Sequence, residues 1–228
     1  MYRSFWDSEG SLHWGIFDKS SDESPAGDSG NVRAGFLSAC SRLNEIMLAN
    51  AGIDGDARVL DLGCGNGNTA MWLSRATGAK VTGVDLSGVR IANAIESLQK
   101  SPDLAKTLQE AYRVLRPSGT MVFDDLIKPK PDISDEARAF VYDRLLFDTD
   151  FSFYSYMDAL RETGFRVLEA RDLSAHLARS YGCLSEMAAS ADDAARQERF
   201  TALSDAYLKM VNAVQNAELG WAQYLCVK

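Results

Sequence analysis

The stretch that most constrains this chain is VLDLGCGNG, residues 59–67, where a short apolar run gives way to three glycines spaced two apart. Val59, Leu60 and Leu62 predict a strand buried on both faces of a parallel sheet. Gly63, Gly65 and Gly67 alternate with Cys64, Asn66 and Asn68. Glycine there permits positive φ and carries no Cβ, so a ligand can rest against the turn where the next helix offers free N–H groups. Residues 69–77 supply that helix and residues 81–84 a second strand, which makes a βαβ unit. Asp85 closes the second strand, eighteen positions after Gly67. In such a unit an acid arrives beside the glycine turn and accepts hydrogen bonds from ribose hydroxyls, so a nucleoside ligand is expected.

The glycine spacing narrows the nucleoside. It is GxGxG, not the GxGxxG that seats a pyrophosphate on a helix N-terminus, which disfavours a nicotinamide dehydrogenase. Asp61, just ahead of the glycines, puts a carboxylate where a dinucleotide would place phosphate. A ligand with a cationic amino group suits that sign.

With these residues in place, the chain resembles the class I S-adenosylmethionine-dependent methyltransferases. Their first motif looks like residues 59–67 here, and their second-strand acid like Asp85 in GVDLS. The resemblance implies a doubly wound, Rossmann-like α/β sheet with S-adenosylmethionine as cofactor and S-adenosylhomocysteine as product. By position, Asp61 and the backbone of Gly63, Cys64, Gly65, Asn66 and Gly67 would hold the methionine part, and Asp85, with Leu86 and Ser87 following it, the ribose. The N-terminal FWDSEGSLHWG, the run YDRLLFDTDFSFYSYMDALRETGF and the closing GWAQYLCVK are similar to sarcosine and dimethylglycine N-methyltransferases. That likeness would set His13 and Trp14 over the cofactor or the acceptor.

Length and composition set outer bounds. A chain of 228 residues, 46% hydrophobic, can bury one substantial core, so one methyltransferase domain over residues 1–228 is expected. Within it, residues 1–51 would form a cap and helix, 52–127 the cofactor core, 128–219 the acceptor-side helices and lid, and 220–228 the final strand. A net charge of −8 argues against a nucleic-acid backbone as partner and favours small substrates. Cys40, Cys64, Cys183 and Cys226 form no CxxC, so neither a zinc site nor a disulfide framework is indicated, and Cys64 reads as small filler. No run is apolar enough to span a bilayer and no signal-peptide pattern opens the chain, which suggests the cytoplasm. A homodimer remains open.

One departure from the family pattern stands out. Between Asp85 and the LRPSG turn at residues 115–119 the family has two further strands, one of them central. Here helical sequence, including residues 89–99, fills nearly all of that interval. Either one or two central strands are deleted, or residues are missing from the interval. After it, Thr120 opens a strand, TMVFDDL, whose Asp124 and Asp125 would lie at the carboxyl edge of the sheet and could jointly hold an ammonium or hydroxyl acceptor. Ser134 reads as a helix cap opening an amphipathic helix over residues 134–147, and two helical stretches, residues 174–188 and 191–219, precede the last strand.

Methyl transfer to a small amine or hydroxyl is the expected activity. A neutral amine needs no dedicated base; a hydroxyl does, and His13, Asp124, Asp125 and Tyr142 are the candidates. Two alternatives are a methyltransferase fold that uses the cofactor pocket for a non-methylating cyclisation, and a degenerate cofactor-binding partner subunit. Asp85→Ala should weaken S-adenosylmethionine binding by roughly 1.5–3 kcal/mol through lost charge-assisted hydrogen bonds. Isothermal titration calorimetry checks this, and unchanged affinity refutes the ribose assignment.

Overall fold

The computed structural model describes residues 13–18, 29–65, 67–84, 104–145, 149–192 and 196–228. The expected helix at residues 89–99, with Asn66, Asp85, Leu86 and Ser87, lies outside the described residues. Helix α1 (Ser29–Ala51) leads into β1 (Arg58–Leu62), α2 (Asn68–Thr77) and β2 (Lys80–Val84). Then follow α3 (Leu104–Val114), β3 (Thr120–Ile127) and a short α4 (Asp135–Ala137) that runs on as a π-helical segment, Arg138–Asp143. The chain continues through α5 (Phe153–Thr163), β4 (Arg166–Asp172), α6 (Ser174–Ala189), α7 (Gln197–Gln215) and β5 (Gly220–Val227).

Local signals set the boundaries. Ser152 caps α5 in a reciprocal box with Ser155, and Gly164 ends that helix at φ 109°, a left-handed conformation glycine adopts freely. Ser134 caps α4 as expected, its hydroxyl accepting from Ala137 N–H at 3.1 Å. The helix that Ser134 opens widens to π geometry over Arg138–Asp143, which carries Val141 and Tyr142 into the core.

The strands form two sheets. β1 and β2 pair in parallel, while β3, β5 and β4 form an antiparallel sheet with β5 in the middle. No described strand joins β1 to β3. The expectation that β1 is buried on both faces therefore fails: Leu60 is 46% and Leu62 61% exposed, and among the described residues β1 pairs with β2 alone.

Alternation along β5 divides the rest into two cores. Trp221 joins Leu126, Phe36, Leu43, Leu177, Leu184 and Met210 on one side. Ala222, Tyr224 and Cys226 join Tyr156, Leu160 and Phe165 on the other. Helix α1 supplies Phe36, Ala39, Cys40 and Leu43, an i, i+3, i+4, i+7 stripe.

Residues 13–18 strap α1 to α6. Ile16 N–H donates to Ala39 O at 2.9 Å, Gly15 N–H to Ser180 Oγ at 3.1 Å and Phe17 N–H to His176 Nδ1 at 3.2 Å. Arg42 bonds Ile16 O at 3.2 Å and pairs with Asp18 at 2.6 Å. The strap passes so close to α1 that a Cβ on Gly15 would stand 2.5 Å from Ala39 Cβ. Gly15→Ala should therefore destabilise the fold by about 1–3 kcal/mol through overpacking. A thermal melt of wild type against variant measures it.

Candidate active site

The turn after β1 has the form its sequence required. Gly63, Gly65 and Gly67 have φ of 78°, 53° and 80°, and a Cβ on any of them would meet no heavy atom within 4 Å. The backbone is thus bare and open on the side where a ligand would lie. Gly63 and Cys64 N–H both donate to Val84 O, at 2.8 and 3.2 Å, which pins the turn to the end of β2. Gly67 is the N-cap of α2, in a left-handed conformation at φ 80°, and makes no side-chain cap hydrogen bond. Asp61 is partly buried near the end of β1. Cys64 packs against Gly83, where a Cβ would come within 2.8 Å of its Sγ.

The candidate acids and bases are sorted differently from the sequence reading. Asp124 and Asp125 are not a pair at a strand end. β3 continues to Ile127, and the two acids face opposite sides of the sheet. Asp125 lies on the α5 side, where Tyr156 Oη–H donates to Oδ2 at 3.0 Å and Leu126 N–H to Oδ1 at 2.8 Å. Burial raises its carboxyl to about 6, with the Tyr156 and Leu126 hydrogen bonds pulling down and the Asp124 charge pushing up. Asp124 lies on the strap side and accepts from Trp221 Nε1–H at 2.8 Å. Burial raises it too, while the Trp221 bond and the nearby His13 oppose that rise.

His13 sits on the strap with Nδ1 2.9 Å from Trp14 O. A carbonyl only accepts, so Nδ1 carries the proton and Nε2 presents a lone pair in the neutral ring. Trp14 packs edge-on against Trp221 at 5.6 Å and tilted against Tyr181 at 6.2 Å, which groups it with Asp124. Tyr142 is otherwise engaged: its buried hydroxyl donates to Glu218 O at 2.7 Å, and Lys128 lies 5.6 Å from its ring centroid. Sequence reasoning missed Trp221 and Gln223, the β5 residues that meet Leu126 and Asp124 in register. The signal was present in the alternation of GWAQY, yet its partner strand was not readable from local sequence.

Fold and turn together define a class I S-adenosylmethionine-dependent methyltransferase. The chain belongs to the methyltransferase-domain family, whose model matches residues 35–170. It is similar to the sarcosine/dimethylglycine N-methyltransferase of Halorhodospira halochloris, 26% identical over 80% of this chain and 73% of that protein. It is also similar to the O-methyltransferase resE of Aspergillus sclerotiorum, 27% identical over 59% of this chain and 64% of that protein. A Galdieria sulphuraria protein assigned as a sarcosine dimethylglycine methyltransferase shares the fold with TM-score 0.78 at 20% identity, over 100% of this chain and 96% of that one.

The first alignment extends over 217 positions but occupies only 80% of 228 residues, about 182, so about 35 positions of that relative stand opposite gaps here. The second gives the same difference, 170 positions against 59% of 228, about 135. A shortfall of that size matches one strand–helix unit.

The raised Asp125 carboxyl has a consequence for stability. The native state holds this proton up to about pH 6, whereas an unfolded aspartate releases it near pH 3.8. Stability should therefore fall as pH rises from 4 to 6, by on the order of 3 kcal/mol from this group. Asp125→Asn should flatten that slope in urea melts across the interval.

Proposed function

We propose that the chain transfers a methyl group from S-adenosylmethionine to the nitrogen or oxygen of a small molecule. The observation that carries this reading is the open glycine cradle at the start of α2. The cradle fits the cofactor: a Cβ at any of the three glycines would project into space that is otherwise empty. Asp61 and the backbone of residues 63–67 would hold the methionine portion, and Asp85 the ribose. When bound, S-adenosylmethionine supplies an electrophilic methyl carbon on a sulfonium. The protein's remaining task is to align the acceptor with that carbon and exclude water. His13 is the candidate base, since its Nε2 lone pair is held in place by the Nδ1 bond to Trp14 O.

Likeness to both N- and O-methyltransferases is consistent with either acceptor atom. Incubating the protein with S-adenosylmethionine and separate amine and phenol panels, followed by mass spectrometry and an S-adenosylhomocysteine assay, tests the reading. Products heavier by one methyl, with stoichiometric S-adenosylhomocysteine, are expected. A product of unchanged mass would indicate cyclisation instead.

A further inference from the structure

Two buried polar atoms near Asp124 have no hydrogen-bond partner among the described residues, His13 Nε2 and Gln223 Nε2. Gln223 is only 3% exposed, and it stands directly across from Asp124 in the β3–β5 register, on the same face of the sheet. His13 is near enough for its charge to act on the Asp124 carboxyl. Gln223 is thus the cross-strand neighbour of a carboxyl whose Oδ1 the Trp221 indole holds, and Trp14, next to His13, packs on that same indole at 5.6 Å. A buried unpaired donor costs about 1–3 kcal/mol, so a ligand that satisfies it gains by the same amount.

The two orphans differ in character. Gln223 Nε2 offers N–H donors, while His13 Nε2 offers a lone pair because Nδ1 is protonated toward Trp14 O. Resting on the methyl-transfer reading above, we infer that this cluster is the acceptor subsite and that it takes a hydroxyl, making the chain an O-methyltransferase. An ammonium has only donors to set against the Gln223 amide. A neutral amine has one lone pair, needed for the methyl carbon, and none left for Gln223. A hydroxyl oxygen has two lone pairs and a proton: one pair accepts from Gln223, the proton points to His13, and the second pair is free to attack. In the transfer the oxygen–carbon bond forms as the carbon–sulfur bond breaks, with that electron pair going to sulfur. The hydroxyl proton ends on His13 Nε2, leaving an imidazolium beside Asp124.

The test compares phenol with aniline and benzyl alcohol with benzylamine, using wild type, Gln223→Met and His13→Gly, each loaded with S-adenosylmethionine. Wild type should methylate a hydroxyl probe with kcat/KM at least tenfold above its amine counterpart. Gln223→Met should lower that value about tenfold, the worth of one hydrogen bond in a dry site, while its melting temperature stays level or rises because an unpaired donor is gone. Added imidazole should restore turnover in His13→Gly. Independently of turnover, phenol should shift the nitrogen-15 signals of His13, distinguished from His176 by their loss in His13→Gly, and aniline should not. Preferential methylation of the amines, or unchanged rates in Gln223→Met, overturns the inference. So does a protein that binds S-adenosylhomocysteine by calorimetry while no probe perturbs His13. Failure to bind S-adenosylhomocysteine at all instead brings down the methyl-transfer reading itself.

Discussion

Most of the described structure depends on one pairing pattern, the seating of β5 between β3 and β4. Both faces of that strand are packed, Trp221 into one core and Ala222, Tyr224 and Cys226 into the other. The same strand carries Gln223 and orients Asp124 through the Trp221 indole at 2.8 Å. Packing and site are thus set together. A shift of one residue in register would turn every side chain of β5 to the opposite core and take Gln223 away from Asp124.

The β1–α2–β2 unit is organised by a different principle. In its turn, Val84 O accepts from two successive N–H groups. Glycine at three turn positions leaves no Cβ in the way, which suits close backbone contact with a ligand. The strap of residues 13–18 belongs to the other half of the chemistry. It bonds to α1 and α6 and delivers His13 to the face of the antiparallel sheet that Asp124 occupies.

Much of this was legible beforehand, for physical reasons that differ between elements. The glycine turn and the Ser134 cap are local, so neighbouring residues suffice to predict them. The opposite orientation of Asp124 and Asp125 was also within reach, because adjacent strand residues face opposite ways. What concealed it was the assumption that β3 ended with the acids, when Leu126 and Ile127 extend it into the core. The exposure of Leu60 and Leu62 was not legible, since burial of a strand depends on neighbouring strands, and among the described residues only β2 pairs with β1. The Trp221–Asp124 bond joins residues 97 apart, and no short pattern encodes it. The π-helical turn at Arg138–Asp143 gave no warning in composition either.

The order of strands along the polypeptide has an implication for biosynthesis. β3 and β4 are neighbours only through β5, and α6 and α7 must be made before β5 can leave the ribosome. Until then β3 and β4 wait with the hydrogen-bonding edges that β5 will fill unsatisfied, a state prone to illicit association between nascent chains. Translation speed through α6 and α7, and access to holding chaperones during that window, should therefore govern how much of the newly made polypeptide reaches the native topology.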